Sequence, residues 1–199
     1  MSIEFTSFKT TKYSSLEKVQ KELHALLGCS HLICYEDRKK SPYANAVIHE
    51  IQRYSNIILT ALPRQSVKDT RLLGFPLPKS TIILSNMDSV LSEPGKWETP
   101  DQFNPGYFLD TDGNSVNREA FLPFSIGHTV CMGELLARVE LFIVFSTLLQ
   151  AFAFTLPGGV KEVSTKFVFG STMKPPPYRL CAIPRTPQPR EDLALLKNP

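Results

Sequence analysis

The sequence predicts a mainly α-helical domain with small β-sheets, an α+β class, and three observations predict it. Apolar residues recur at helical spacing in three segments. These are Leu16, Val19, Leu23, Leu26 and Leu27; then Val47, Ile48, Ile51 and Tyr54; then Leu135, Leu136, Val139, Phe142, Ile143 and Ser146. The strand-like text is short and interrupted by turn residues: Leu72-Leu73, Thr81–Leu84, Phe167–Phe169 and Tyr178–Ile183. At 199 residues the chain is long enough for one domain with a real core.

Composition narrows the function classes. The net charge of +3 and pI near 8.6 come from scattered lysines and arginines, so no nucleic-acid partner is implied. The four cysteines, Cys29, Cys34, Cys131 and Cys181, show no paired-ligand spacing, and no signal peptide precedes them. A reducing compartment fits that usage. The most apolar segment, Leu141 to Phe154, is interrupted by Ser146, Thr147 and Gln150. It falls short of the roughly 20 apolar residues that a membrane span needs.

Taken in order, residues 1–13 read as an unstructured lead. Ser14 with Glu17 forms a capping-box signal for the first helix, which Gly28 stops. Residues 29–40 read as a polar loop in which Cys29 and Cys34 are ordinary thiols. Ser41-Pro42 opens the second helix, with proline at its first position. Glu50 and Arg53 stand three apart on it; such a pair is usually a solvated salt bridge of little worth. Residues 56–64 form an apolar loop ended by Pro63-Arg64, where Arg64 by itself is a surface arginine. Leu72-Leu73 and Thr81–Leu84 read as a hairpin joined by the proline-stiffened turn 74–79, and 87–93 as a short helix. Residues 110–117 are a polar turn. After a Pro157-Gly158-Gly159 turn, Cys181 alternates within the last strand and reads as a core thiol. Residues 186–199 are a proline- and charge-rich tail.

The stretch from Phe121 to Glu140 carries the chemistry. Cys131 lies between Gly127 and Gly133, where loop residues give way to a helical pattern. Unpaired amides and the helix dipole favour an anion at such a point, so the thiolate forms more readily there. Cys131 is therefore a candidate metal ligand or nucleophile. One thiolate is a poor zinc site, since structural zinc takes four ligands, but it suits haem iron held opposite an open position. Gly127 permits positive φ and close approach of a flat ring, Gly133 lets the helix start pack closely, and Phe124 can shield the sulfur. A cysteine nucleophile assisted by His128 is the competing chemistry, although no orienting acid is visible beside it.

Phe124-Ser125-Ile126-Gly127-His128-Thr129-Val130-Cys131-Met132-Gly133 closely resembles the haem-binding signature of the cytochrome P-450 superfamily. The flanking text resembles the vertebrate microsomal family 2 enzymes. Ala46-Val47-Ile48-His49-Glu50-Ile51-Gln52-Arg53 is similar to the family's Glu-x-x-Arg helix, and Pro100, Phe103, Pro105 and Phe108 match its Pro-x-x-Phe-x-Pro-x-x-Phe segment. The resemblance implies the C-terminal portion of that fold, truncated, over 14–185 with the haem-binding loop at 121–133. It implies Cys131 as axial iron ligand, with Phe124, Gly127, Gly133 and Arg64 also meeting haem. It implies Glu50 and Arg53 as a structural network rather than catalysts, and residues 56–64 and 170–177 as pocket-lining segments. Two positions depart: Thr129 and Tyr107 stand where the family has basic residues.

By the same resemblance the function is a haem-thiolate monooxygenase that inserts one oxygen atom from dioxygen into a small lipophilic substrate. An NADPH-dependent reductase supplies the electrons. The location implied is the endoplasmic reticulum membrane, or the cytoplasm because the chain encodes no anchor. The long central helix with its acidic-Thr pair is absent. A truncated or relic product with weak or no haem binding is therefore the alternative, and uncovered apolar faces predict poor solubility or a molten core.

Overall fold

The structure, a computed structural model, describes residues 10–28, 31–128, 130–160, 164, 167–170 and 172–185. Cys29, Thr129, residues 1–9 of the expected lead and the expected tail 186–199 lie outside the described residues. The architecture is mixed, with helices and small antiparallel two-stranded sheets.

Helix α1 spans Thr10–Leu27, so it begins ahead of the Ser14 capping box. Nothing in 10–13 is proline or glycine, and a nucleated helix extends cheaply. It ends where predicted: Gly28 takes φ +74° and its N–H reaches the His24 carbonyl at 3.1 Å. The stretch expected as loop contains a 3-10 turn, Tyr35–Lys39. Helix α2 spans Pro42–Tyr54, as its Ser41-Pro42 start predicts. Its cap, however, is not Ser41, whose hydroxyl makes no capping bond. The Glu22 carboxylate on α1 instead accepts from the N–H groups of Tyr43 (2.9 Å) and Ala44 (2.8 Å). A carboxylate at a helix start satisfies orphan donors and the dipole together, so one side chain ties two helices.

Strand pairing departs from the expected hairpin. β1 (Arg64–Gln65) pairs with β4 (Ile82–Ile83), while β2 (Thr70–Leu72) pairs with β3 (Phe75–Leu77). The tight turn is Leu73-Gly74, with φ +51° and +86°. Two successive positive φ values fit the right-handed twist of a two-residue hairpin, and glycine adopts one without strain. Pro76 sits inside β3 rather than in the turn; a two-stranded ribbon has outer edges that need no N–H. Helix α3 spans Met87–Leu91, capped by the Asn86 side chain.

Helix α4, Glu134–Ala151, has a different buried face from the one its spacing predicts. Phe142, Phe145, Ser146 and Leu149 are buried, whereas Leu135 and Leu136 are 69% and 63% exposed. The apolar core contacts of α4 run from Phe142 to Leu149, and nearer its start Arg138 reaches His49 on α2. Together Val19, Leu23, Ile33, Ala44, Val47, Ile48, Phe142, Phe145 and Leu149 form the main core. Each buried Val, Leu, Ile or Phe side chain there contributes about 1.5–3 kcal/mol. A second cluster gathers Ala46, Trp97, Tyr107 and Phe108 behind α2. The end of the apolar run is not helix but β5 (Phe152–Thr155), paired with β6 (Cys181–Pro184). Every β6 residue is exposed, so Cys181 is a surface thiol rather than a core one. A two-stranded ribbon with an uncovered face cannot bury alternate residues.

Candidate functional site

Two arrangements flank α2 and α4: a buried charge node and an exposed cysteine loop. The node is Glu50 and Arg53. Far from being solvated, their side chains are 0% and 1% exposed. Arg53 Nε donates to Glu50 Oε2 and Nη2 to Oε1, both at 2.7 Å. Nη1 donates to the carbonyls of Leu91 and Pro100, and Nη2 to that of Gln102, each at 3.0 Å. The five N–H donors of the guanidinium are thus all used. Glu50 Oε1 also accepts from the Asn104 N–H at 2.8 Å. The rings of Trp97 and Tyr107 lie 5.2 Å and 5.5 Å from the guanidinium carbon. The Tyr107 hydroxyl turns to Thr99, accepting from its N–H at 2.7 Å. The helix thereby fastens to α3 and to the 100–108 segment.

The cysteine loop is closed by backbone bonds. The Cys131 N–H donates to the Phe124 carbonyl at 3.0 Å, and Val130 to Gly127 at 3.0 Å. Gly127 takes φ +85°, the conformation that calls for glycine, and a Cβ built there meets nothing within 4 Å. Ser125 also takes positive φ, +68°. Arg64 holds it, donating from Nη2 to Ser125 Oγ at 2.6 Å and to the Ile126 carbonyl at 3.3 Å. Gly133 is the N-cap of α4. A Cβ there would meet Cys131 Sγ at 3.9 Å, an ordinary contact, so the sulfur lies beside the helix start without demanding glycine sterically. Cys131 is exposed, as are Ile126, Val130 and Met132.

Phe124 is half-buried and is tied to α4 through Arg138, whose guanidinium lies 5.1 Å from its ring. Arg138 in turn pairs with Glu134 at 2.8 Å and reaches His49 Nε2 at 3.3 Å. His49 is the residue that periodicity alone passes over. It is buried against Phe108 and Phe121, with ring centroids 5.3 Å and 5.0 Å away. Burial first, then the charges of Arg138 and Arg38, push its pKa down to about 4. The signal available was its place between Ile48 and Glu50 on the buried stripe.

His128 is exposed, and no carboxylate is ion-paired to it among the described residues. The nucleophile reading therefore lacks its orienting acid. Also among the described residues, no group of three or more His, Cys, Asp and Glu side chains could hold a metal. No helix there is long and apolar enough to cross a membrane. The two segments expected to line a pocket do meet: the Met173 N–H donates to the Ile57 carbonyl at 2.8 Å.

Comparison with known proteins agrees with this layout. The family model described as Cytochrome P450 matches residues 13–182. Cytochrome P450 2J2 of Homo sapiens is 48% identical over 169 residues, covering 85% of this chain and 33% of that protein. Cytochrome P450 2D4 of Rattus norvegicus is 44% identical over 168 residues, covering 84% and 34%. Cytochrome P450 2K6 of Danio rerio is 45% identical over 178 residues, covering 88% and 35%. The chain spans about a third of the length of the curated relatives it matches. With a family match running from the second half of the first turn of α1 to the last strand, the chain belongs to the cytochrome P450 family.

Proposed function

We propose that this chain is the ligand-bearing, C-terminal part of a haem-thiolate monooxygenase, with Cys131 as the thiolate that would hold the iron. The observation that carries the reading is the exposed Cys131 sulfur beside the start of α4, on a loop held open by Gly127 at φ +85°. A helix start favours the thiolate over the thiol. The donor set fits haem rather than a compact metal site, because no group of three or more His, Cys, Asp and Glu side chains gathers among the described residues. Ile126, Val130, Met132 and Leu135 are apolar and exposed around it, and a flat apolar macrocycle is a partner such surfaces suit.

Within that reading each residue has a task. Cys131 supplies the thiolate, and the Phe124 carbonyl fixes its backbone through the 3.0 Å bond. Gly127 keeps the loop face clear, and Gly133 starts the helix that aims its dipole at the sulfur. Arg64, anchored by one nitrogen, has Nε and Nη1 to offer to a carboxylate of the cofactor. Glu50 and Arg53 hold α2 to the surrounding loops and take no part in chemistry. Haem, when bound, supplies the oxygen and one-electron chemistry that side chains lack. The residues around 57 and 173 would face a small lipophilic substrate, electrons would come from an NADPH-dependent reductase, and the likeness to family 2 enzymes supports a location at the endoplasmic reticulum.

The test is the absorption spectrum of the purified chain, expressed with ample haem, reduced and exposed to carbon monoxide, beside Cys131→Ala. A strongly red-shifted Soret band that disappears in the variant is expected. A second reading, a non-catalytic product with weak or no haem binding, draws on the uncovered apolar side chains beside the sulfur. It would prevail if no band formed, or if the band ignored the substitution.

A further inference from the structure

We infer that the cleft between α2, α4 and the 3-10 turn Tyr35–Lys39 binds a phosphate-class oxyanion through Arg38 and Arg138. The cleft has a volume of about 630 Å³, the size of a small-molecule site. Among the described residues its wall holds three cations, Arg38, Lys39 and Arg138, together with amide side chains and no aspartate or glutamate. The charges are not equally committed. Lys39 is paired with Glu36 at 2.6 Å and Arg138 with Glu134 at 2.8 Å. Arg38 has no carboxylate partner among the described residues; its guanidinium lies over the Tyr35 ring, 4.4 Å from the centroid. Stacking uses the face of a guanidinium and leaves its edge donors available.

The adjacent carboxylate is already engaged. Asp37 accepts from the Cys34 N–H at 2.9 Å and bonds His31 Nε2 at 2.9 Å. Those bonds, the Cys34 one foremost, hold its carboxyl down at about 2. Asp37 stays ionised but makes no ion pair with Arg38, and Glu36, paired with Lys39, also feels the Arg38 charge.

The wall also carries buried donors, set against one buried acceptor without a partner among the described residues, Gln52 Oε1. Arg138 can only donate, so His49 Nε2 must accept across the 3.3 Å contact and the ring hydrogen sits on Nδ1. His49 is 9% exposed, and its Nδ1 has no partner; neither does the buried Nε of Arg38. Both atoms are sealed behind the cleft surface, so they strengthen the positive field rather than touch a ligand. Direct contacts fall to the half-buried Arg38 and Arg138 side chains and to amides such as Asn117. Guanidinium N–H groups at a partly desolvated wall are strong donors, and a tetrahedral oxyanion brings several strong acceptors to one point. The residues concerned do not include Cys131; Arg138 is shared with the cysteine loop, where it lies over the Phe124 ring, whereas Arg38 is not.

The test is isothermal titration of the purified chain with inorganic phosphate, ionic strength being held constant with chloride. Saturable one-to-one binding is expected, weakened about tenfold or more in Arg38→Gln. Asn117→Asp places a carboxylate on an exposed loop position at the cleft and should weaken binding similarly without disturbing the core. That variant decides the matter if Arg38→Gln fails to fold. A parallel titration with glycerol 3-phosphate separates the sources: tighter binding assigns a phosphomonoester, equal or weaker binding the free ion. Absence of saturable heat with both ligands, or affinities within twofold of the parent in the folded variants, would overturn the site.

Discussion

Around Glu50 and Arg53 the chain answers its own groups, whereas around Cys131 it leaves them facing outward. Five guanidinium donors find five acceptors within 3.0 Å, and the buried rings of Trp97 and Tyr107 close over the node. Beside Cys131, Met132 is fully exposed and Leu135 and Leu136 more than half so. Both regions are apolar and carry one chemically demanding group. The difference lies in what surrounds them. A buried ion pair needs complete hydrogen bonding to be tolerated, so the node must be finished by the fold itself. A ligand-bearing loop must keep an open face for what it binds.

The largest effect should come from opening the node. Glu50→Gln removes the counter-charge and strands a guanidinium that is 1% exposed. Breaking a buried pair costs about 3–5 kcal/mol. Urea unfolding followed by circular dichroism should show the chain largely unfolded before denaturant is added. A midpoint close to the parent's would mean the node is better hydrated than its burial indicates.

A smaller effect comes through His49, which links the node's helix to the loop's helix. Its folded pKa lies near 4, below the ordinary 6.5. Between those values the unfolded chain binds a proton that the folded one refuses. Its contribution is therefore fully present above about 6.5 and is lost as pH falls towards 4. The slope is at most roughly 1.4 kcal/mol per pH unit. Urea midpoints at pH 7.5 and 5.5 should differ accordingly, and His49→Gln should flatten the difference. Equal slopes in parent and variant would remove His49 from the account.

The smallest effect should be at the open face. Leu135→Ser changes a side chain that is 69% exposed, so stability should stay within about 0.5 kcal/mol. The sharper readout is haem retention, which should fall if the exposed apolar rim serves the cofactor. A loss of stability comparable to that of Glu50→Gln would erase the contrast between the regions.

Much of this was legible in the chain because it is local. Three helices follow from apolar spacing, Gly28 ends α1 where its φ of +74° requires, and Gly127 takes the positive φ assigned to it. The strands were less legible: Leu73-Gly74 makes the hairpin that Pro76 and Pro78 seemed to claim, because turn type depends on paired dihedrals rather than on proline count. By itself the sequence determined where helices form, where Cys131 stands and which family text surrounds it, since each depends on neighbours in the chain. Only the tertiary structure decided that the Glu50–Arg53 pair is buried, that Glu22 caps α2, that Arg64 grips Ser125, and that α4 buries Phe142, Phe145 and Leu149 but not Leu135 and Leu136. Those outcomes depend on which distant groups meet, and periodicity carries no record of that.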